Sequence, residues 1–425
     1  FKNDTDMNTL LHSHGVRMDN QFDGSQSTQN EIKPNKTFSY KLKFPDAGMY
    51  WYHPHVREDY QQELGMYGNF LVVASDDKYW NTVNREVPII LDDILIENGK
   101  INLSKEQTDR TLMGRYGNVM LVNGETNYQL EATQGEVIRF YLTNAANARP
   151  FNFSIKGAKL KLVGGDNGAT EHEEWNDSVI IGPSERAIVE VLFAKEGSYT
   201  LEHKTPEKTY KLGTVEVSNV IASPYYGDIF NTLRTNEIAK ASFESYRQYF
   251  ISPIDKKLSL TIDMAGGMSG MGGHVMPDGT MMGGMMMGSP SVDGIEWEDT
   301  DMAMMNDVAT KDMTKWKIVD SETGKVNMDI DWNFKVGDKV KIRITNDGKS
   351  VHPMQHPIHF HGQRFLVLNK NGTQNDNLVW KDTVLVPAGQ YMDILLDVTN
   401  SGEWMAHCHI AEHLESGMMF EFKVE

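Results

Sequence analysis

The chain of 425 residues contains a single cysteine. An internal disulfide is therefore excluded, and the cysteine count carries no information about redox compartment. No run of about 18 apolar residues occurs, so no membrane-spanning helix is expected. Basic residues are scarce: 41 Lys and Arg stand against 59 Asp and Glu, a net charge of −18. That balance disfavours nucleic acid and favours attraction of cations. No signal-peptide pattern opens the sequence. It starts at Phe1-Lys2-Asn3-Asp4, eleven residues before its first histidine motif, and reads as a processed or incomplete chain. Its length exceeds one ordinary core and predicts two or three domains.

The lone thiol lies in His407-Cys408-His409-Ile410-Ala411-Glu412-His413, followed by Met418. A thiolate with two histidines and a weak axial methionine is the ligand set of a blue copper site. Alternate residues of a strand face opposite ways. If Cys408 faces one copper, His407 and His409 face away together and can serve a second metal centre. Partners for that centre exist in His12-Ser13-His14, His53-Pro54-His55 and His356-Pro357-Ile358-His359-Phe360-His361. These four segments hold ten of the 14 histidines. With His356 and His413 assigned beside Cys408 and Met418, eight imidazoles remain, enough for three coppers with positions open to oxygen. An axial Met418 predicts a lower potential than a noncoordinating Leu or Phe at that position.

Taken together, these motifs resemble those of three-domain bacterial or archaeal multicopper oxidases, and they run from position 12 to position 418. The resemblance implies four copper ions: one type 1, one type 2 and two type 3. It implies a type 1 set of His356, Cys408, His413 and Met418, and type 2 ligands His12 and His359. The type 3 ligands it implies are His14, His53, His55, His361, His407 and His409. Electrons would pass from the type 1 site along the His-Cys-His strand to a trinuclear cluster that reduces O2 to water. Ser13 departs from the family, where an aromatic residue is common. It is not a ligand position and bears on packing.

One structural unit recurs. Gly48 to His55 followed by Gly65-Met66 matches Gly402 to His409 followed by Gly417-Met418. A degenerate copy begins at Gly197 and includes Glu202 and His203, and Pro150 to Gly157 echoes Pro357 to Gly362 without the histidines. The middle unit thus keeps the strands and has lost the ligands; His203 is read as a residual or surface histidine. Alternating runs such as Val137–Asn144 and Val340–Asn346, set among Gly, Asn and Pro turns, predict an all-β chain of Greek-key sandwiches. The resemblance makes these three cupredoxin-like domains, the first short of N-terminal strands. The expected division is residues 1–75, 76–222 and 223–425, the last including a connector with weak helical potential over 228–249. The trinuclear cluster should lie between the first and last domains, and the type 1 site inside the last.

Thirteen of the 25 methionines fall within residues 264–313. Its core, Met264, Met268, Met271, Met276, Met281, Met282, Met285, Met286 and Met287, is interleaved with glycines that oppose a helix or core strand. One reading is a low-complexity loop. The other is a collector of Cu(I), since thioether sulfur selects that soft ion; an insertion in the third domain is similar to that of cuprous oxidases. His274 is a bystander or a member of the set.

Oxygen reduction also consumes protons. Glu412, between Cys408 and His413, is a candidate to relay them, and the resemblance implies the same of Asp23, which matches a family Asp near the type 2 copper, with Cys408 as the electron conduit; Asp23-Gly24 alone could be an ordinary turn. The expected function is a copper-dependent oxidase with Cu(I) as donor, in copper tolerance. Phenolic donors, as in laccases, or ferrous iron are alternatives. Copper sequestration without turnover, or nitrite reduction at a lone type 2 copper, leaves eight cluster histidines unexplained. The resemblance and the chemistry place the protein in the periplasm or outside the cell.

Overall fold

The computed structural model describes residues 1–264, 292–298 and 303–425. Short strands dominate it and helices are few. The alternating runs singled out in the sequence become strands Glu136–Asn144 and Lys339–Asn346. The strands collect into three bodies. The first is a three-stranded antiparallel sheet of Leu11–His14, Gly48–Pro54 and Gly68–Val72, in that order, over a small core of Val16, Met18 and Tyr50. Gly68–Val72 has a sheet neighbour on one side only. The second body pairs a five-stranded with a six-stranded sheet around Phe140, Phe151, Phe153 and Leu201. The third pairs a seven-stranded with a five-stranded sheet around Ile344, Phe360, Trp404 and Phe422. Apolar burial of this kind is the main stabilising force in each body.

The repeat is visible as one hairpin built three times. Gly48–Pro54 pairs with Gly68–Val72, Gly197–Lys204 with Thr209–Ile221, and Gly402–Cys408 with Met419–Val424, all antiparallel. The sixth residue after the leading glycine is Cys408 in the last copy and His203 in the middle one. Both are wholly buried. His203 is therefore residual but not on the surface: its Nδ1 accepts from the backbone N–H of Asn152 at 3.0 Å and its ring stacks on Tyr210.

Burial lowers the pKa of His203 to about 3, with the charge of Arg149 as a second cause. Between the unfolded value near 6.5 and that folded value, the unfolded chain binds a proton that the folded ring refuses. Stability present above pH 6.5 is therefore lost as pH falls, at about 1.4 kcal/mol per pH unit for one proton. His203→Gln should flatten the acid limb of the unfolding free energy by up to that slope. An unaltered slope between pH 6 and pH 4 would mean that the ring titrates in the fold as it does in the open chain.

The connector holds two short helices, Gly227–Phe230 and Glu237–Phe243, and a 3-10 turn, Glu244–Phe250. Asn236 caps the second helix by accepting from Ala239 N–H. The helical pattern was weak because only Ala239 and Phe243 of that helix are buried, against Leu366, Trp380 and their neighbours. Met264 ends strand Lys256–Met264 and packs against the third core. Met268, Met271, His274, Met276, Met281, Met282, Met285, Met286 and Met287 lie outside the described residues.

Candidate metal centres

The pleat of the third body's five-stranded sheet sorts the histidine strands into two faces. In it, Gly402–Cys408 pairs with His356–Phe360, Ile358 opposite Cys408 and His359 opposite His407. Cys408, Ile358, Phe360 and Ala406 enter the third core. His359, His361, His407 and His409 face the other way, onto the first sheet, where His12 lies opposite His53. Two clusters result, separated by the thickness of one strand.

On the core side, Sγ of Cys408 lies 3.5 Å from Nδ1 of His356 and 3.8 Å from Nδ1 of His413. Two ligands that each stand about 2.0–2.3 Å from one ion are separated by about this distance. Helix Ala411–Glu415 carries His413 back over the strand end. Met418 is wholly buried; its N–H donates to His413 O and its carbonyl accepts from Cys408 N–H. The Ile410 N–H points at the sulfur, 3.4 Å away. Burial pushes the Cys408 thiol pKa up, the metal-free condition that a bound cation inverts. Trp316 walls the site, stacked on His413 at 4.2 Å and edge-on to His356 at 4.7 Å.

On the other side, eight rings form three groups, two of which share His14: His14, His53 and His409; His55, His361 and His407; and His12, His14 and His359. Every one is buried. Hydrogen bonds decide which nitrogen is free. Nδ1 of His12 donates to Asp23 O (2.7 Å), His53 to Pro54 O (2.9 Å), His359 to Asp382 O (2.8 Å) and His407 to Cys408 O (2.8 Å). Carbonyl oxygens only accept, so these rings carry hydrogen on Nδ1 and turn a lone pair on Nε2 inward. Nε2 of His12, His53, His55, His359 and His409 has no hydrogen-bond partner among the described residues. Buried polar atoms are rarely left so; converging lone pairs are what a metal requires. Nε2 of His361 and His407 lie 3.0 Å apart, a separation that suits two ligands of one ion. Burial first, and neighbouring rings second, hold His14, His55, His359 and His361 well below the ordinary imidazole range, so these rings stay neutral and able to ligate. The donor set fits copper.

Asp23 touches two of these rings: Oδ2 accepts from Nδ1 of His361 at 2.9 Å, and its carbonyl serves His12. The following Gly24, at φ +82°, lies against the Leu11 carbonyl with no room for a Cβ. The Asp-Gly pair is thus a turn and also a support for the histidines. Glu412 is wholly buried, accepts from Asn147 Nδ2 at 3.2 Å, and has its pKa raised to about 7 by burial, with Arg115 opposing.

Glu58 and His352 are among the residues that escaped the sequence reading. Glu58 is wholly buried, with Oε1 3.3 Å from Nε2 of His55 and Oε2 3.9 Å from Nδ1 of His53. Its spacing, three residues after His55, was the available signal. His352 is buried 6.2 Å from Trp316, with Nε2 unpartnered among the described residues, and burial lowers its pKa to about 4.

Three family models described as multicopper oxidase match the chain, at residues 1–77, 51–219 and 298–425. The multicopper oxidase Mco of Staphylococcus epidermidis is 26% identical over 430 residues, which cover 99% of this chain and 78% of that protein. Copper resistance protein A of Escherichia coli is 23% identical, over 100% of this chain and 85% of its own length. Among solved structures, a multicopper oxidase of Campylobacter jejuni described as a metallo-oxidase superposes with a TM-score of 0.72 at 23% identity, over 100% of this chain and 81% of that one. The likeness extends to the whole cupredoxin-like fold.

Proposed function

The chain belongs to the multicopper oxidase family of oxygen-dependent oxidoreductases, and on that premise we propose a cuprous oxidase of copper tolerance, working in the periplasm or outside the cell. In this reading His356, Cys408, His413 and Met418 hold a type 1 copper. His12 and His359 hold a type 2 copper; His14, His53 and His409, and His55, His361 and His407, hold a type 3 pair. Bound copper would supply one-electron oxidation of the donor and four-electron, four-proton reduction of O2 to two waters.

The observation that carries the reading is the double membership of one strand. The Cys408 side chain belongs to the mononuclear group, while its two chain neighbours belong to two different groups of the eight-ring cluster. An electron leaving the sulfur crosses a few covalent bonds to either side. Buried side chains keep bulk water from both centres. Asp23, Glu58 and Glu412 are the carboxylates placed to supply or orient protons.

Soft ligands near the mononuclear centre favour Cu(I) as donor. Met264, where the methionine-rich stretch begins, and Met305, towards its end, both pack on the core that contains Trp316, Met354 and Cys408. Ile262, two residues before Met264 and on the same strand face, lies opposite Trp316. Met264 and Met305 thus share a core with Trp316, whose ring stacks on His413.

The test is oxygen uptake by the copper-loaded protein with stabilised Cu(I), a phenol as comparison, and a variant lacking residues 265–288. Uptake with Cu(I) that drops on deletion is expected. Uptake with the phenol alone would make this a laccase acting on phenolics. Tight copper binding without uptake from either donor would leave sequestration.

A further inference from the structure

One of the eight rings is held the opposite way from its neighbours. Nε2 of His14 lies 3.0 Å from Oδ1 of Asp382 and 3.0 Å from Oγ1 of Thr383, and its Nδ1 is the atom without a partner among the described residues. An ionised carboxylate only accepts, so the His14 hydrogen is on Nε2 and the lone pair on Nδ1. Asp382 cannot turn away. Both its oxygens are taken by Arg186, Nη1 to Oδ1 at 2.7 Å and Nη2 to Oδ2 at a shorter distance, and Thr383 Oγ1 donates to Oδ1 at 2.9 Å. The Asp382 main-chain carbonyl serves His359. Arg186 is wholly buried and reaches all three bodies: Nε donates to Met49 O in the first, Nη1 to Ser184 O in the second, and the fork grips Asp382 in the third. Gly15, beside His14, has no room for a Cβ next to Asp382 and Arg186.

We propose that Arg186, contributed by the body that holds none of the clustered histidines, is a positioning residue for the oxygen-reducing site: through Asp382 it fixes which nitrogen of His14 faces the metal. This rests on the reading that the eight rings hold copper. A planar guanidinium fork suits the task because it sets the plane of the carboxylate as well as neutralising it. Lysine would supply the charge without the plane.

Asp382→Asn discriminates. Arg186 donates to both oxygens, so an amide nitrogen at either place opposes one arm of the fork and the bidentate grip is lost. Without the anion and its fixed plane the His14 hydrogen is no longer held on Nε2, and the metal-facing Nδ1 loses its orientation. The measurements are copper per chain by mass spectrometry, paramagnetic resonance, blue absorption and melting temperature. Expected in Asp382→Asn and Arg186→Lys is an unchanged blue band, with copper affinity at the His14, His53 and His409 locus reduced about 10–100-fold, the usual effect of breaking support behind a ligand. Arg186→Met strands a buried carboxylate and can fail to fold; the other two variants keep the test open. Full copper and an unchanged resonance spectrum in Asp382→Asn would overturn the proposal. So would parallel loss of the blue and cluster copper with a fallen melting temperature, which marks a general structural role. A native protein that takes up no copper beyond the blue centre would instead remove the reading beneath it.

Discussion

Cys408→Ser should abolish the blue absorption and reduce oxygen consumption by more than 100-fold, leaving copper in the eight-histidine cluster. Breaking support behind a ligand costs about 10–100-fold, and removal of a direct ligand should exceed that. The thiolate has two tasks here. Its sulfur completes the group with His356 and His413 at 3.5 and 3.8 Å, and its main chain is the short link to His407 and His409. Serine is close in volume, so the strand and its pairing to His356–Phe360 should persist. Copper counts and absorption spectra on the purified variant read both parts. A variant that stays blue, or that still consumes oxygen at a tenth of the native rate, would remove Cys408 from the electron path.

Asp23→Asn should lower turnover about 10–100-fold with the blue colour intact. Asp23 holds His361 through Oδ2 and His12 through its carbonyl. The amide oxygen can replace Oδ2, but the amide nitrogen then stands where Oδ1 stood, 3.5 Å from the hydrogen-bearing Nδ1 of His12. Two donors then oppose each other behind two ligands, and a buried negative charge near the cluster is gone. Glu412→Gln should act in the same direction, slowing oxygen reduction without touching the colour, since its contacts are Asn147 and Arg115 and not a type 1 group. Pre-steady-state reoxidation of the reduced protein separates this step from electron entry. Native turnover in either variant would withdraw that residue from proton delivery.

Periodicity and repetition made most of this architecture legible. The Gly-led pattern at residues 48, 197 and 402 marks the same strand pair each time, because the two-residue side-chain period survives connections of different length. The clustering of ten histidines needed no three-dimensional information. What the sequence hid was of two kinds. Arg186 acts across bodies, and a contact between distant segments leaves no periodic trace. The orientation of each imidazole depends on a single carbonyl or carboxylate behind it, as with Pro54 for His53 and Asp382 for His14. The connector helix was faint because only two of its seven residues are buried.

The two centres also differ in how much of the chain they draw on. The mononuclear group, His356 to Met418, closes within one continuous stretch near the end of the chain. The eight-ring cluster needs His12 and His53 from the beginning to meet His359 and His409 from the end, with Arg186 between them. During synthesis His12 and His14 wait some 350 residues, and His53 and His55 some 300, before His359 appears. The cluster therefore cannot fill on a chain that ends before His409, nor before the first and last bodies meet. Copper in that cluster certifies that all three bodies have docked.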